Sequence, residues 1–151
     1  EKRWQEDVLD LEPDWLSILI GINDVWRQFD SFMSSNQVLP ERFEEVYRRL
    51  LDQTRSGLEG LVLMSPYFLE PSLSDPMRQL MDDYGSIVKS LASDFDAVFI
   101  DLQADFDFYM SHRPTQSLAG DRVHPNNTGH MIIARAFLNS MLGDTQKQEF
   151  V

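Results

Sequence analysis

The chain has 151 residues, enough for one domain, and 42% of them are hydrophobic, which provides a core and argues against disorder. Its net charge is −12, from 13 basic and 25 acidic side chains, and no stretch is strongly basic, which argues against nucleic acid as a partner. Cysteine is absent, which excludes disulfides, thiol catalysis and cysteine-held metals, and no apolar run reaches membrane-spanning length.

Residues 2–11 carry Trp4, Val8 and Leu11 at helical spacing and predict a helix that Pro13 ends. WLSILIGIN, residues 15–23, is a continuous apolar run and predicts a strand buried on both faces, as in parallel sheets. Residues 40–55 begin at Pro40 and place Phe43, Val46, Tyr47, Leu50 and Leu51 on one helical stripe. GLVLMSPYF, residues 60–68, predicts a second buried strand stopped by Pro66, and 67–75 a loop containing Pro71. A helix follows over 76–93, with Met77, Leu80, Met81, Tyr84, Val88 and Leu91 inward. DAVFIDL, residues 96–102, predicts the third strand, 103–111 a short helix and 112–126 a loop. The last helix spans 127–142, with Ile133, Ala134, Phe137, Leu138 and Met141 on its core face. The order α-β-α-β-α-β-α predicts one α/β domain, a parallel sheet between two helical layers. No repeat, low-complexity tract or linker divides it.

In open sheets of this type ligands bind at the carboxyl ends of the strands. The first strand ends in Gly21-Ile22-Asn23-Asp24. There the Asn23 amide could donate to a developing oxyanion, or Asn23 and Asp24 could simply turn the chain. Asp121 stands three residues before His124 and Pro125. Its carboxylate could accept from Nδ1–H and leave Nε2 as a base. Equally, the stretch could be a capped helix start with a solvent-exposed histidine, Asn126 or Asn127 providing the cap. Trp26, Tyr67 and Phe68 follow strand ends and could line an acyl pocket or pack in the core. His112 in a loop, His130 within the last helix, and the acidic Met81-Asp82-Asp83 as a solvated face all read as structural. No His-x-x-x-His or similar spacing marks a metal site, and no cofactor is expected.

GIND after one strand and DRVHP before the last helix resemble two sequence blocks of the SGNH (GDSL-type) hydrolases. The stretch RWQEDVLDLEPDWLSILIGINDVW and the phrase LMSPYFLEP are similar to the family's bacterial esterase branch, and the likeness runs through nearly the whole chain. The resemblance implies a three-layer α/β/α sandwich with a flavodoxin-like sheet. It also implies Asn23 as oxyanion donor, Asp121 and His124 as two members of a Ser-His-Asp triad, and Gly21, Asp24, Trp26 and Tyr67 around the substrate. The family's first two blocks, a Gly-Asp-Ser nucleophile motif and a glycine donor to the oxyanion, do not occur in the 151 residues.

The expectation is therefore a domain, residues 1–151, that lacks the family's first two strands. It leaves residues 15–22 as an apolar edge open to pairing with a second copy or with the absent segment. The expected activity is hydrolysis of short-chain acyl esters or acetylated carbohydrate, with this chain alone inactive. Ser65 is rejected as a substitute nucleophile, since Pro66 follows it and nothing places it near His124. The alternative is a non-catalytic binding module on the same fold. A receiver-like phosphoacceptor is set aside, because no lysine occurs between Lys89 and Lys147. No leader peptide is readable from Glu1 onward. The cytoplasm is the expected compartment, with secretion the alternative.

Overall fold

A computed structural model describes residues 1–30 and 37–142. Trp4 begins a single helical turn, α1 (Trp4–Asp7), and its indole donates to Thr54 Oγ1 at 3.0 Å. The helix expected over 2–11 goes no further. A 3-10 turn takes over at Leu9–Leu11, and Glu12 then turns left-handed at φ 46° ahead of Pro13. That anchor half-buries Trp4, no residue of the turn is fully buried, and Leu11 stays exposed.

β1 (Trp15–Leu19) is shorter than the expected 15–23. Gly21 breaks it at φ 124°, and its carbonyl accepts from Val25 N–H, which opens helix α2 (Ile22–Asp30). A Cβ on Gly21 would sit 3.1 Å from Pro66 Cβ, so both the turn and the close approach require glycine. Asn23 and Asp24 are thus helical residues, not the end of a strand. Nor is β1 buried on both faces: Ile18 is its one buried residue and Trp15 is 52% exposed. The reason is position. Among the described residues the sheet runs β1-β2-β3, all parallel, with β1 at an edge.

α3 (Pro40–Thr54) carries the predicted stripe, with Phe43, Tyr47, Leu50 and Leu51 buried. β2 (Gly60–Met64) is the central strand and is buried throughout. It ends before the predicted residue 68 because Pro66 has no N–H for the ladder, although residues 65–69 remain buried. Asp75 caps α4 (Pro76–Asp94), accepting from Met77 and Arg78 N–H at 2.9 and 3.0 Å. β3 (Val98–Ile100) is a short stretch of the expected 96–102. Asp96 is left-handed at φ 50°, and Asp101 already caps α5 (Leu102–Met110) by accepting from Ala104 N–H.

β2 shows why there are three layers. Alternation along a strand sends neighbouring side chains to opposite faces. Leu61 and Leu63 pack with α3 and α4 around Phe43, Tyr47, Met81 and Tyr84. Val62 and Met64 pack with Phe106 of α5 and with Ile132 and Ala136 of α6 (Asn127–Leu142). The buried face of α6 is rotated from the expected one. Gly129, Ile132 and Ala136 are buried and Ile133, Phe137 and Met141 half-buried, whereas Ala134 and Leu138 face out. Gly129 sets the rotation: a Cβ there would lie 2.6 Å from Pro125 Cβ and 2.9 Å from Leu118 O. Met81 belongs to the core rather than to a solvated face, and Asp82 pairs with Arg78.

Candidate active site

The loop between α5 and α6 is closed at its base by Asn126. Its N–H donates to Leu118 O at 2.8 Å and its Nδ2 to Ser117 O at 3.0 Å. Its Oδ1 accepts from Thr128 and Gly129 N–H, so Asn126, not Asn127, caps α6. Above that base, Asp121 folds the chain around itself. Oδ1 accepts from Val123 N–H at 3.0 Å and from His124 N–H at 2.8 Å. Oδ2 lies 2.6 Å from His124 Nδ1.

An ionised carboxylate in that position holds the proton on Nδ1 and leaves Nε2 as an acceptor. The His124 N–H, then the imidazole, then the Val123 N–H hold the Asp121 carboxyl well below the usual carboxylate range. The three-residue spacing is what allows one aspartate to bind both the backbone and the ring of His124. The turn and the Asp121–His124 contact, which the sequence offered as separate readings, occur together in one structure.

A cleft of about 230 Å³ opens beside the ring. Its lining joins Asn23 from the first turn of α2 with His124 and Tyr67, and Leu19, Ile20, Ile22, Pro66, Val123 and Pro125 form its apolar wall. Asn23 and His124 are separated by a hundred positions in the chain, and the parallel sheet brings them together. Asn23 is exposed, and the positive end of the α2 dipole adds to its amide. Trp26, one turn along α2, packs edge-on against the imidazole with 5.8 Å between centroids. Burial pushes the Tyr67 hydroxyl up to about 12, so it is a neutral donor at ordinary pH.

The other expected site residues lie elsewhere. Asp24 faces a separate pocket beside Val38, Phe43 and Tyr47, where burial raises its carboxyl. Gly21 is buried at the turn and shapes the wall through Pro66. Phe68 is core. His112 and His130 are exposed and away from the cleft. Ser65 is buried with its Oγ accepting from Gln103 N–H. It lines a different cleft of about 280 Å³, between α4 and α5, with Arg78 and Asp107. Among the described residues, no group of three or more histidine, aspartate or glutamate side chains is placed to hold a metal ion. No described helix is long and apolar enough to cross a membrane. Sequence reasoning missed Pro66 and Val123 as wall residues, because single apolar residues in loops carry no pattern.

The model of the GDSL-like Lipase/Acylhydrolase family matches residues 1–132. An acetylxylan esterase from Geobacillus stearothermophilus is 46% identical over 140 residues, which are 92% of this chain and 64% of that protein. The crystal structure of such an esterase from that organism matches with a TM-score of 0.91 at 44% identity, over 95% of this chain and 66% of that one. An α/β hydrolase enzyme from the metagenome of Lake Arreo, Spain, matches with a TM-score of 0.90 at 44% identity, over 92% and 64%. The chain thus spans slightly less than two thirds of the length of these relatives. Catalytic mutants of the Geobacillus esterase have been solved with a serine, an aspartate or a histidine changed to alanine. In that esterase the aspartate and the histidine stand three positions apart.

Proposed function

The chain belongs to the GDSL-like lipase/acylhydrolase family, and we propose that it carries the base, the orienting acid and one oxyanion donor of an ester hydrolase. The observation that carries this reading is the single cleft shared by Asn23 and His124, with Asp121 bound to the far nitrogen of the ring. The spacing of Asp121 and His124 equals that of the catalytic aspartate and histidine in the Geobacillus esterase. The substrate class we assign is an acetylated carbohydrate, in line with the acetylxylan esterase relative.

The chemistry follows from the free nitrogen. His124 Nε2 takes the proton of a serine hydroxyl as that oxygen attacks the acetyl carbonyl. The carbonyl oxygen becomes an anion, to which the Asn23 amide donates. When the tetrahedral intermediate collapses, Nε2–H passes its proton to the departing sugar oxygen, and the acetyl group stays on serine. Water, activated by the same nitrogen, then releases acetate. Asp121 stays ionised and holds the ring.

No Gly-Asp-Ser occurs in the 151 residues, and the serine mutated in the Geobacillus esterase lies close to that protein's N-terminus. The nucleophile is therefore assigned to polypeptide outside this sequence. The open edge of β1 is the seat we assign to it, or to a second copy of the chain in its absence.

The test is acetyl release from an acetylated xylo-oligosaccharide by the full-length protein. His124→Ala is expected to lower kcat roughly 10⁶-fold and Asn23→Ala roughly 10²-fold. A fluorophosphonate adduct should form on the full-length protein and not on residues 1–151 alone. Hydrolysis indifferent to His124→Ala would overturn the reading, and a full-length protein that neither hydrolyses the substrate nor takes the adduct would leave a binding module on the same fold.

A further inference from the structure

Arg122 stands between Asp121 and Val123, inside the turn that brings Asp121 to His124, with φ 66°. Glycine adopts that left-handed conformation freely, and a long side chain adopts it at a cost. What arginine adds over glycine is its side chain. The guanidinium pairs with the Glu70 carboxylate and lies 5.2 Å over the Phe68 ring. The Arg122 carbonyl accepts from Leu69 N–H at 3.0 Å. Three consecutive residues of the loop after β2 thus grip one residue of the turn.

That loop is fixed from beneath. The buried Gln103 holds both backbone groups of Phe68, accepting from its N–H at 2.8 Å and donating to its carbonyl at 3.2 Å. The buried Arg78 donates to the Glu70 carbonyl at 2.9 Å. The Glu70 side chain is only 14% exposed, and its two oxygens are both engaged, one by Arg122 and the other by Ser72 N–H at 2.9 Å. An ion pair that merely decorated the surface would need neither a strained backbone nor a buried frame.

We propose that Glu70 and Arg122 are positioning residues, a clamp that holds the 121–124 turn in the geometry by which Asp121 orients His124. The proposal rests on the reading of His124 as the base. Neither residue lines the cleft beside His124; each acts through the turn.

The experiment uses the full-length protein labelled with ¹⁵N-histidine. Arg122→Gly removes the clamp while relieving the left-handed backbone, so folding is spared. Glu70→Gln keeps the shape and removes the charge. In both, kcat for acetyl release should fall roughly tenfold, as a small misplacement of a catalytic group implies, with KM within about twofold. The low-field Nδ1 proton of His124 should weaken by exchange in both, and Arg122→Lys should restore signal and rate. Unchanged kcat and signal in Arg122→Gly and Glu70→Gln would overturn the clamp, as would a fall in kcat with the Nδ1 signal intact. The signal reports the Asp121–His124 pair whether or not His124 is the base. Hydrolysis that survives His124→Ala would therefore defeat the functional reading while the signal still decides the clamp.

Discussion

At Arg78 and at His124 a nitrogen lies 2.6 Å from a carboxylate oxygen, of Asp107 in one case and of Asp121 in the other. The surroundings differ. The Arg78 side chain is 4% exposed, that of His124 69%. Arg78 commits its donors to Asp82, to both oxygens of Asp107 and to the Glu70 carbonyl, tying α4 to α5 and to the loop after β2. His124 commits one nitrogen and leaves the other beside a cleft. Equal contact length thus says nothing about role. A pair whose groups are all engaged serves the architecture, whereas a pair with one group unspent at a cleft can serve a reaction.

The sharpest way to break that comparison is to remove the nitrogen-bearing side chain from each pair. Arg78→Met should lower the unfolding free energy by about 1–3 kcal/mol, because the buried guanidinium's bonds to the Glu70 carbonyl and to the partly exposed Asp107 are lost. Denaturant unfolding measures it. His124→Ala should leave the unfolding midpoint nearly unchanged, since exposed pairs contribute little. Equal losses in the two variants would erase the distinction.

Gly129→Ala is expected to act on both properties at once. The new Cβ meets Pro125 Cβ at 2.6 Å and the Leu118 carbonyl at 2.9 Å. Neither is a flexible side-chain end, so the loop must move, at about 1–3 kcal/mol of stability. Pro125 follows His124 directly, so acetyl release should fall with it. A Gly129→Ala protein of native stability and full rate would show that the base of the loop is not what sets the ring.

These contrasts were unequally legible in the sequence. The continuous apolar runs read at 15–23 and 60–68 gave away the parallel strands, though not their ends, and the stripes of α3 and α4 gave away their helices, because burial on one face writes a period into the chain. Helix α2 is not among the elements read from the sequence: its residues 22–23 fall in the expected first strand and 24–30 in no expected element. Its apolar residues Ile22, Val25, Trp26 and Phe29 do stand at helical spacing, but the first of them continues the apolar run of β1 and hides the break at Gly21. Asp121 and His124 could be paired because three residues separate them. Glu70 and Arg122, Gln103 and Phe68, and Arg78 and Asp107 could not. Each joins residues 29 or more positions apart, and such contacts leave no local pattern.

The mildest prediction concerns Asp121 itself. Its carboxyl is held below the ordinary value of about 3.9, first by the His124 N–H, next by the imidazole and then by the Val123 N–H. A depressed folded value means the protonated form is disfavoured in the native state. The turn's contribution to stability is therefore fully present above the unfolded value and is lost as pH falls through the folded one. A ¹³C titration of Asp121 should accordingly give a midpoint under the usual carboxylate range. His124→Ala removes the ring but keeps both backbone donors, so the midpoint should rise only part of the way back. Added salt should move it little, because short hydrogen bonds rather than distant charges cause the shift. A midpoint that returned fully to the ordinary value in His124→Ala would mean that the ring alone holds the carboxylate. The backbone turn would then be a consequence of the ion pair, and Asp121–His124 would resemble Arg78–Asp107 more closely than its exposure suggests.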